Sequence, residues 1–206
     1  MRPPRRAPVC LVTLALLFLG AAPPPPCPEP PDLPGRLLHV VPEKSSIRFD
    51  ADAVLHTFAG EGGEVEGWIA LSARDPEEVL ACVAVPASSL RTGISMRDHL
   101  MRQNHLEVEQ FPYLRFTVRG ARILERPGAG VLRAEVLGEL TVHGVPRERS
   151  LPVEVTLEEP ALTAVGSFPV RLSDHRIGAP AFLFVRMRDQ VMVSVRLVAA
   201  PEEGRP

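Results

Sequence analysis

The sequence predicts an all-β fold, an antiparallel barrel or sandwich of about eight strands with one short helical insertion. Apolar and polar residues alternate with a period of two over most of residues 37–200, as in strands with one buried and one solvated face. Segments containing Gly, Pro and Asp separate these runs, as tight turns require. Residues 88–111 break the pattern and are the place for the helix.

The alternation excludes a parallel sheet covered on both faces, because strands of such a sheet would be continuously apolar. Two antiparallel architectures remain. A sandwich buries two inner faces and needs no ligand, whereas an eight-stranded barrel encloses either packed side chains or one small ligand. Periodicity alone leaves both open.

Residues 1–21 have the features of a cleavable secretory signal peptide. Basic residues (Arg2, Arg5 and Arg6) precede a largely apolar run over residues 9–19, and small residues follow it. The run is too short to span a bilayer, and flanking arginines and prolines disfavour the alternative of a buried helix. We expect cleavage after Ala21, because Pro23 would hinder cleavage one residue later. The sequence therefore predicts a periplasmic or secreted protein with no stable membrane insertion after cleavage.

The mature chain divides into three parts. Residues 22–36 are a proline-rich linker, for which an extended polyproline conformation is expected. Residues 37–200 form the β domain, and residues 201–206 form a polar, disordered tail. Removal of three arginines with the leader changes the formal net charge from -2 to -5, which argues against a nucleic-acid partner.

The predicted strands follow one another through the domain at residues 46–53, 64–71, 79–85, 113–119, 132–142, 151–157, 164–170 and 191–197, with residues 37–41 a candidate for one more. Large apolar residues on their inner faces are the candidate ligand contacts: Phe49, Ile69, Val83, Leu114, Phe116, Leu132, Leu140, Val153, Phe168 and Val193. Small residues on the same faces favour an interior that the side chains do not fill: Ala51, Gly67, Ala81, Ala134, Gly138, Ala164 and Gly166.

The insertion is expected to hold a short helix over residues 97–105, with Leu100 and Met101 on its inner side. A helix in this position would plug or cover one end of a barrel.

Two cysteines remain after cleavage, Cys27 and Cys82. Export permits a disulfide between them, but Cys27 falls in the proline-rich linker and Cys82 within a strand, so the sequence leaves their pairing open. Lipidation of Cys27 is disfavoured by Pro24, Pro25 and Pro26 directly before it.

No catalytic residue, metal site or cofactor is predicted. The histidines that invite such a role (His56, His99, His105, His143 and His175) lack the spacing of zinc ligands on one element. Asp98 and His99 are adjacent on the predicted helix, so they point to different sides, and no nucleophile motif accompanies them. His143 precedes Gly144 at a strand end, where an imidazole can bond to the turn backbone.

Several ordered motifs resemble those of the YceI family. The run Gly138-Glu139-Leu140-Thr141-Val142-His143-Gly144-Val145 is similar to that family's G-x-L-T-[IV]-H-G-V pattern. Further similar stretches cover nearly all of the domain: Ser46 to Phe49, Val65 to Gly67, Thr92-Gly93 with Arg97 to Leu100, Phe111 to Phe116, Leu151 to Val155, and Val191 to Val193. Two stretches depart from the pattern. Residues 101–106 replace a stretch rich in aspartate and phenylalanine, and residues 54–58 diverge around His56.

The resemblance implies an exported bacterial protein with a lipocalin-like antiparallel barrel that binds a long isoprenoid-type lipid. Our interpretation is therefore an exported carrier of an extended apolar lipid. The alternatives are a structural or stress-associated protein with a filled barrel and no ligand and, ranked third, an enzyme acting on a lipid inside the barrel. The sequence leaves the oligomeric state open.

Overall fold

The computed structural model describes residues 26–53, 57–178, 181–182 and 185–202. The strands are β1 (Gly35–Val40), β2 (Ser46–Ala53), β3 (Thr57–Gly62), β4 (Glu66–Ser72), β5 (Val79–Pro86), β6 (Tyr113–Gly128), β7 (Val131–Val142), β8 (Val145–Glu158), β9 (Ala161–Arg171), β10 (Ala181–Phe182) and β11 (Val185–Ala200). Helix α1 (Ser95–Leu100) continues as a π-helical segment (Met101–His105), and short 3-10 turns lie at Pro42–Lys44, Ala87–Ser89 and Ser173–His175. The predicted signal peptide, residues 22–25, His56 and residues 203–206 lie outside the described residues.

Eight strands close into an antiparallel barrel, in the order β1-β4-β5-β6-β7-β8-β9-β11 and back to β1. The closing ladder is short, because β1 pairs with β11 only at His39–Ala200 and Val40–Ala199. Farther along β11, the hairpin of β2 and β3 takes the place of β1. The predicted all-β barrel with a short helical insertion is confirmed, and the sandwich is excluded.

The strand boundaries show what the pattern missed. β3 has the sequence Thr-Phe-Ala-Gly-Glu-Gly, and its two glycines and single large apolar residue give little strand signal. β6 and β11 are each 16 residues long. Both strands therefore extend beyond the alternating runs that predicted them, which cover residues 113–119 and 191–197. The helix begins at Ser95 rather than residue 97, and its second half is π-helical rather than α-helical.

The outer edge of β3 is not paired with β4, the next strand of the chain. It instead makes a two-way backbone bridge between Glu61 and Arg91, with both N–H···O distances at 2.9 Å. The hydroxyl of Ser89 adds a bond to the carbonyl oxygen of Gly63 at 3.0 Å. Residues 87–106, here named the lid segment, therefore close the barrel wall beside β3.

Two inner clusters of buried apolar residues lie toward opposite ends of the barrel. Val85, Leu140 and Val142 belong to the cluster beneath the lid segment. Leu38, Ala81 and Ala199 belong to the cluster at the far end. Phe116 is only partly buried and packs against both.

Gly67 and Gly138 have a different role from the one expected. A Cβ on Gly67 would lie 2.0 Å from the carbonyl oxygen of Cys82, and one on Gly138 would lie 2.2 Å from that of Thr117. These glycines therefore allow adjacent strands to approach closely. They do not leave room in the interior.

The proline-rich segment is fastened to the barrel at its described end. Cys27 forms a disulfide with Cys82, whose side chain lies on the outer face of β5 and is fully buried. Trp68 on β4 is 7% exposed beside this bond and donates its indole N–H to the carbonyl oxygen of Pro28 at 2.8 Å. Leu33 also packs there. The pairing that the sequence left open is therefore present, and this part of the proline-rich segment covers an apolar patch on the outer wall.

Candidate functional site

A cavity of about 1240 Å³ runs through the barrel. All eight strands of the closed ring contribute to its wall, together with β2, β3 and the lid segment. The wall is almost entirely apolar, because the alternation along each strand directs Val, Leu, Ile, Ala and Phe side chains inward.

The ten candidate contact residues all line this cavity. Phe49 and Val193 face each other across the β2–β11 ladder, and Val83 pairs with Phe116 across the β5–β6 ladder. Five of the seven small residues also line the cavity: Ala51, Ala81, Ala134, Ala164 and Gly166. The strand pattern thus places these side chains correctly, while their contact with a ligand stays a prediction.

The sequence pattern missed the cavity wall outside the predicted strands. Phe58 on β3 and Leu90, Ile94, Met96 and Asn104 of the lid segment also line the cavity. Ile94 is 54% exposed and Met96 is 62% exposed, so both side chains border the cavity and also contact solvent. The break in alternation marked the insertion, and the predicted inner side chains Leu100 and Met101 do line the cavity. The pattern did not identify Ile94, Met96 or Asn104.

A compact hydrogen-bond network holds the lid segment. The hydroxyl of Thr92 donates to the Asp98 carboxylate, whose Oδ1 also accepts the backbone N–H of Thr92 at 2.7 Å. Arg97 donates from Nε to the Thr92 hydroxyl oxygen at 2.7 Å, and its guanidinium lies 4.2 Å from the centre of the Phe58 ring. The positive charge of Arg97 and the buried negative charge of Asp98 therefore meet at Thr92 and tie the helix to β3.

The two histidines near the β7–β8 turn have structural contacts. His143 and Gly144 occupy this two-residue turn with φ values of +50° and +67°, as a type I′ turn requires. The His143 Nε2 atom lies 2.7 Å from Glu107 Oε2, and its ring packs edge-on against Phe111. His175 is fully buried and donates its Nδ1–H to the carbonyl oxygen of Val145 at 2.9 Å. Burial lowers the pKa of His175, partly offset by this hydrogen bond.

Among residues 26–53, 57–178 and 185–202, no group of three or more His, Cys, Asp or Glu side chains has the arrangement of a metal site. Within the same ranges, no helix is both long and apolar enough to cross a membrane.

The structure is therefore an antiparallel β-barrel that encloses an apolar cavity, with a helical segment in the wall at one end. The family model of the YceI-like domain matches residues 38–199, which is most of the chain. The chain therefore belongs to the YceI-like domain family, as its motifs predicted.

Solved structures with the same fold have low sequence identity to this chain. BcnA from Burkholderia cenocepacia is 18% identical with a TM-score of 0.67, and the match covers 78% of this chain and 99% of BcnA. A polyisoprenoid binding domain from Saccharophagus degradans, implicated in plant cell wall breakdown, is 15% identical with a TM-score of 0.65, and the match covers 80% and 98%. The YceI protein of Campylobacter jejuni is 18% identical with a TM-score of 0.55, and the match covers 70% and 85%. No curated protein matches the chain.

Proposed function

We propose that this protein is an exported carrier that binds an extended apolar lipid, of isoprenoid type, along the interior of its barrel. The cavity carries this proposal. Its volume of about 1240 Å³ exceeds the roughly 300–1,000 Å³ typical of small-molecule sites. A hydrocarbon chain suits such a wall because it leaves no polar group without a partner. Membership of the YceI-like family and the fold shared with a polyisoprenoid binding domain support the choice of lipid.

Export is supported by two independent features. The first is the predicted signal peptide, and the second is the Cys27–Cys82 disulfide. Disulfides persist mainly in oxidising compartments such as the periplasm and the extracellular space. We therefore place the mature protein in the periplasm or in the secreted fraction.

We further propose that the protein acts by binding and not by catalysis. Asp98 is engaged by Thr92, and the His143 ring is engaged by Glu107 and Phe111. These contacts give the candidate acid and base residues structural roles. A filled barrel with no ligand is the competing function, and the cavity argues against it, since protein interiors are otherwise close-packed.

The test is lipid extraction from protein purified without detergent from its native cells. Organic extraction and mass spectrometry should recover one long apolar lipid per chain. Phe116→Trp should reduce this occupancy while leaving the melting temperature similar, because the cavity can accept the larger ring. Tyr113→Trp is the matched control, since Tyr113 lies on the same strand and does not line the cavity. A lipid-free parent together with a clearly destabilised Phe116→Trp variant would contradict the carrier function.

A further inference from the structure

The polar groups of the cavity wall are few. Seven lining residues among those described have polar side chains: Arg36, Ser72, Thr92, Arg97, Asn104, His105 and Arg115. The orientation of a lipid in the cavity would depend on where these groups lie along the barrel. It would also depend on which of them are free to form a hydrogen bond to a ligand.

At the end far from the lid, the polar groups already have partners. Arg36 donates one guanidinium N–H to Glu159 and another to the carbonyl oxygen of Pro160, both at 2.6 Å. The Ser72 hydroxyl oxygen accepts two backbone N–H groups of the β4–β5 turn. This end therefore offers a ligand little unsatisfied polar surface.

At the lid end, the charged groups are likewise engaged. Arg97 bonds to the hydroxyl and carbonyl oxygens of Thr92 and lies over Phe58. Arg102 donates two bonds to the carbonyl oxygen of Leu90. Arg115 alternates with the inward-facing Leu114 and Phe116, so its guanidinium points to the outer face of β6.

Of the polar lid-segment side chains that line the cavity, two uncharged ones make no hydrogen bond to any described residue. They are the Asn104 amide and the His105 imidazole, which are consecutive in the π-helical segment and line the same cavity. Burial lowers the pKa of His105 and so favours the neutral ring, which presents one N–H donor and one nitrogen acceptor. The Asn104 amide also presents both a donor and an acceptor.

We propose that Asn104 and His105 form the head-group site of the bound lipid and select an uncharged, hydrogen-bonding head such as a hydroxyl, over a phosphate. This inference rests on the proposed carrier function and adds the orientation of the ligand. The head lies at the lid, and the hydrocarbon chain runs past Phe116 toward the β4–β5 turn. A π-helical turn is a frequent feature of functional sites, and here it brings both side chains to the cavity.

The test compares three C20 isoprenoids with the same chain: geranylgeraniol, its methyl ether and its monophosphate. Each displaces the neutral dye N-phenyl-1-naphthylamine from the delipidated protein. The alcohol should bind about five- to tenfold more tightly than the ether, as one net hydrogen bond provides, and more tightly than the monophosphate. Asn104→Leu with His105→Phe should bind all three within about twofold of each other by the same reasoning.

The matched control is Gln103→Leu with His99→Phe. Both residues lie in the same helical region, are exposed and do not line the cavity, so this variant should keep the parent's preference. Three results would overturn the head-group site. The parent protein could bind the monophosphate most tightly, or it could bind all three ligands equally. The third result is that the variant Asn104→Leu with His105→Phe keeps the parent's preference for the alcohol. Failure of all three isoprenoids and of the dye to bind would instead refute the carrier function itself.

Discussion

Ala164 and Ala199 provide a direct comparison between unfilled and filled space in one barrel. They lie on the neighbouring strands β9 and β11. Ala199 belongs to the far-end cluster, and Ala164 packs against it. Ala164 lines the cavity, whereas Ala199 is fully buried and does not. We expect leucine to have opposite effects at the two positions.

The magnitudes follow from the space around each Cβ atom. Ala199→Leu adds three carbons to a packed site and should lower the free energy of unfolding by about 1–3 kcal/mol. Ala164→Leu adds the same carbons to the cavity. At about 0.8 kcal/mol per buried methylene, its effect should range from neutral to a gain of about 2 kcal/mol. The two variants should therefore differ by at least about 1 kcal/mol.

The assay is urea unfolding of delipidated protein, because bound lipid would add its own linked stabilisation. The midpoints should separate at an unchanged m-value. In a second arm, lipid occupancy should fall in Ala164→Leu, since leucine takes space from the ligand. Equal destabilisation of both variants would show that the interior at Ala164 is packed, and the reasoning from the cavity would fail.

Three further outcomes are expected from the contacts outside the cavity. Cys27→Ser removes a cross-link spanning 55 residues, so it should lower the free energy of unfolding by up to about 4 kcal/mol. It should also shift the fluorescence emission of Trp68 to longer wavelength. Unchanged emission would contradict the attachment of this segment to the outer wall. Asp98→Ala leaves the Thr92 N–H without its acceptor and should lower the free energy of unfolding by about 1–3 kcal/mol. Asp98→Asn should lower it less. Equal losses in the two variants would argue against this hydrogen bond. Burial holds the pKa of His175 below its ordinary 6.5, so as pH falls the unfolded chain binds the proton first. The free energy of unfolding should therefore decrease as the pH falls from about 7 through the ordinary histidine pKa. His175→Asn should reduce this slope, and an unchanged slope would assign the pH dependence to another group.

The barrel was predictable because its walls follow a simple rule. Inward positions such as Phe116 and Leu140 alternate with polar neighbours, and each face is buried or solvated as a whole. The order of the YceI-like motifs then distinguished a barrel from a sandwich. The cavity-lining positions on these strands follow directly from the alternation.

The polar cavity-lining residues of the lid segment and the disulfide were not predictable in the same way. Asn104 and His105 occupy a π-helical turn, whose side-chain directions no simple period describes. Cys27 and Cys82 are 55 residues apart, and their meeting depends on where the chain runs over the outer face of β4 and β5. Both features arise from tertiary contacts that local sequence does not encode.

An open cavity changes how this barrel must be stabilised. A lipid-free interior loses many of the contacts that a packed core provides, so a larger share of the stability must come from the strand ladders, the two inner clusters and the outer disulfide. The closing ladder between β1 and β11 has only two residue pairs. The disulfide joins the segment before β1 to the outer face of β5, so it adds stability without occupying the interior. A bound lipid would supply the missing interior contacts, so under the proposed function ligand binding and folding stability should rise together by mass action.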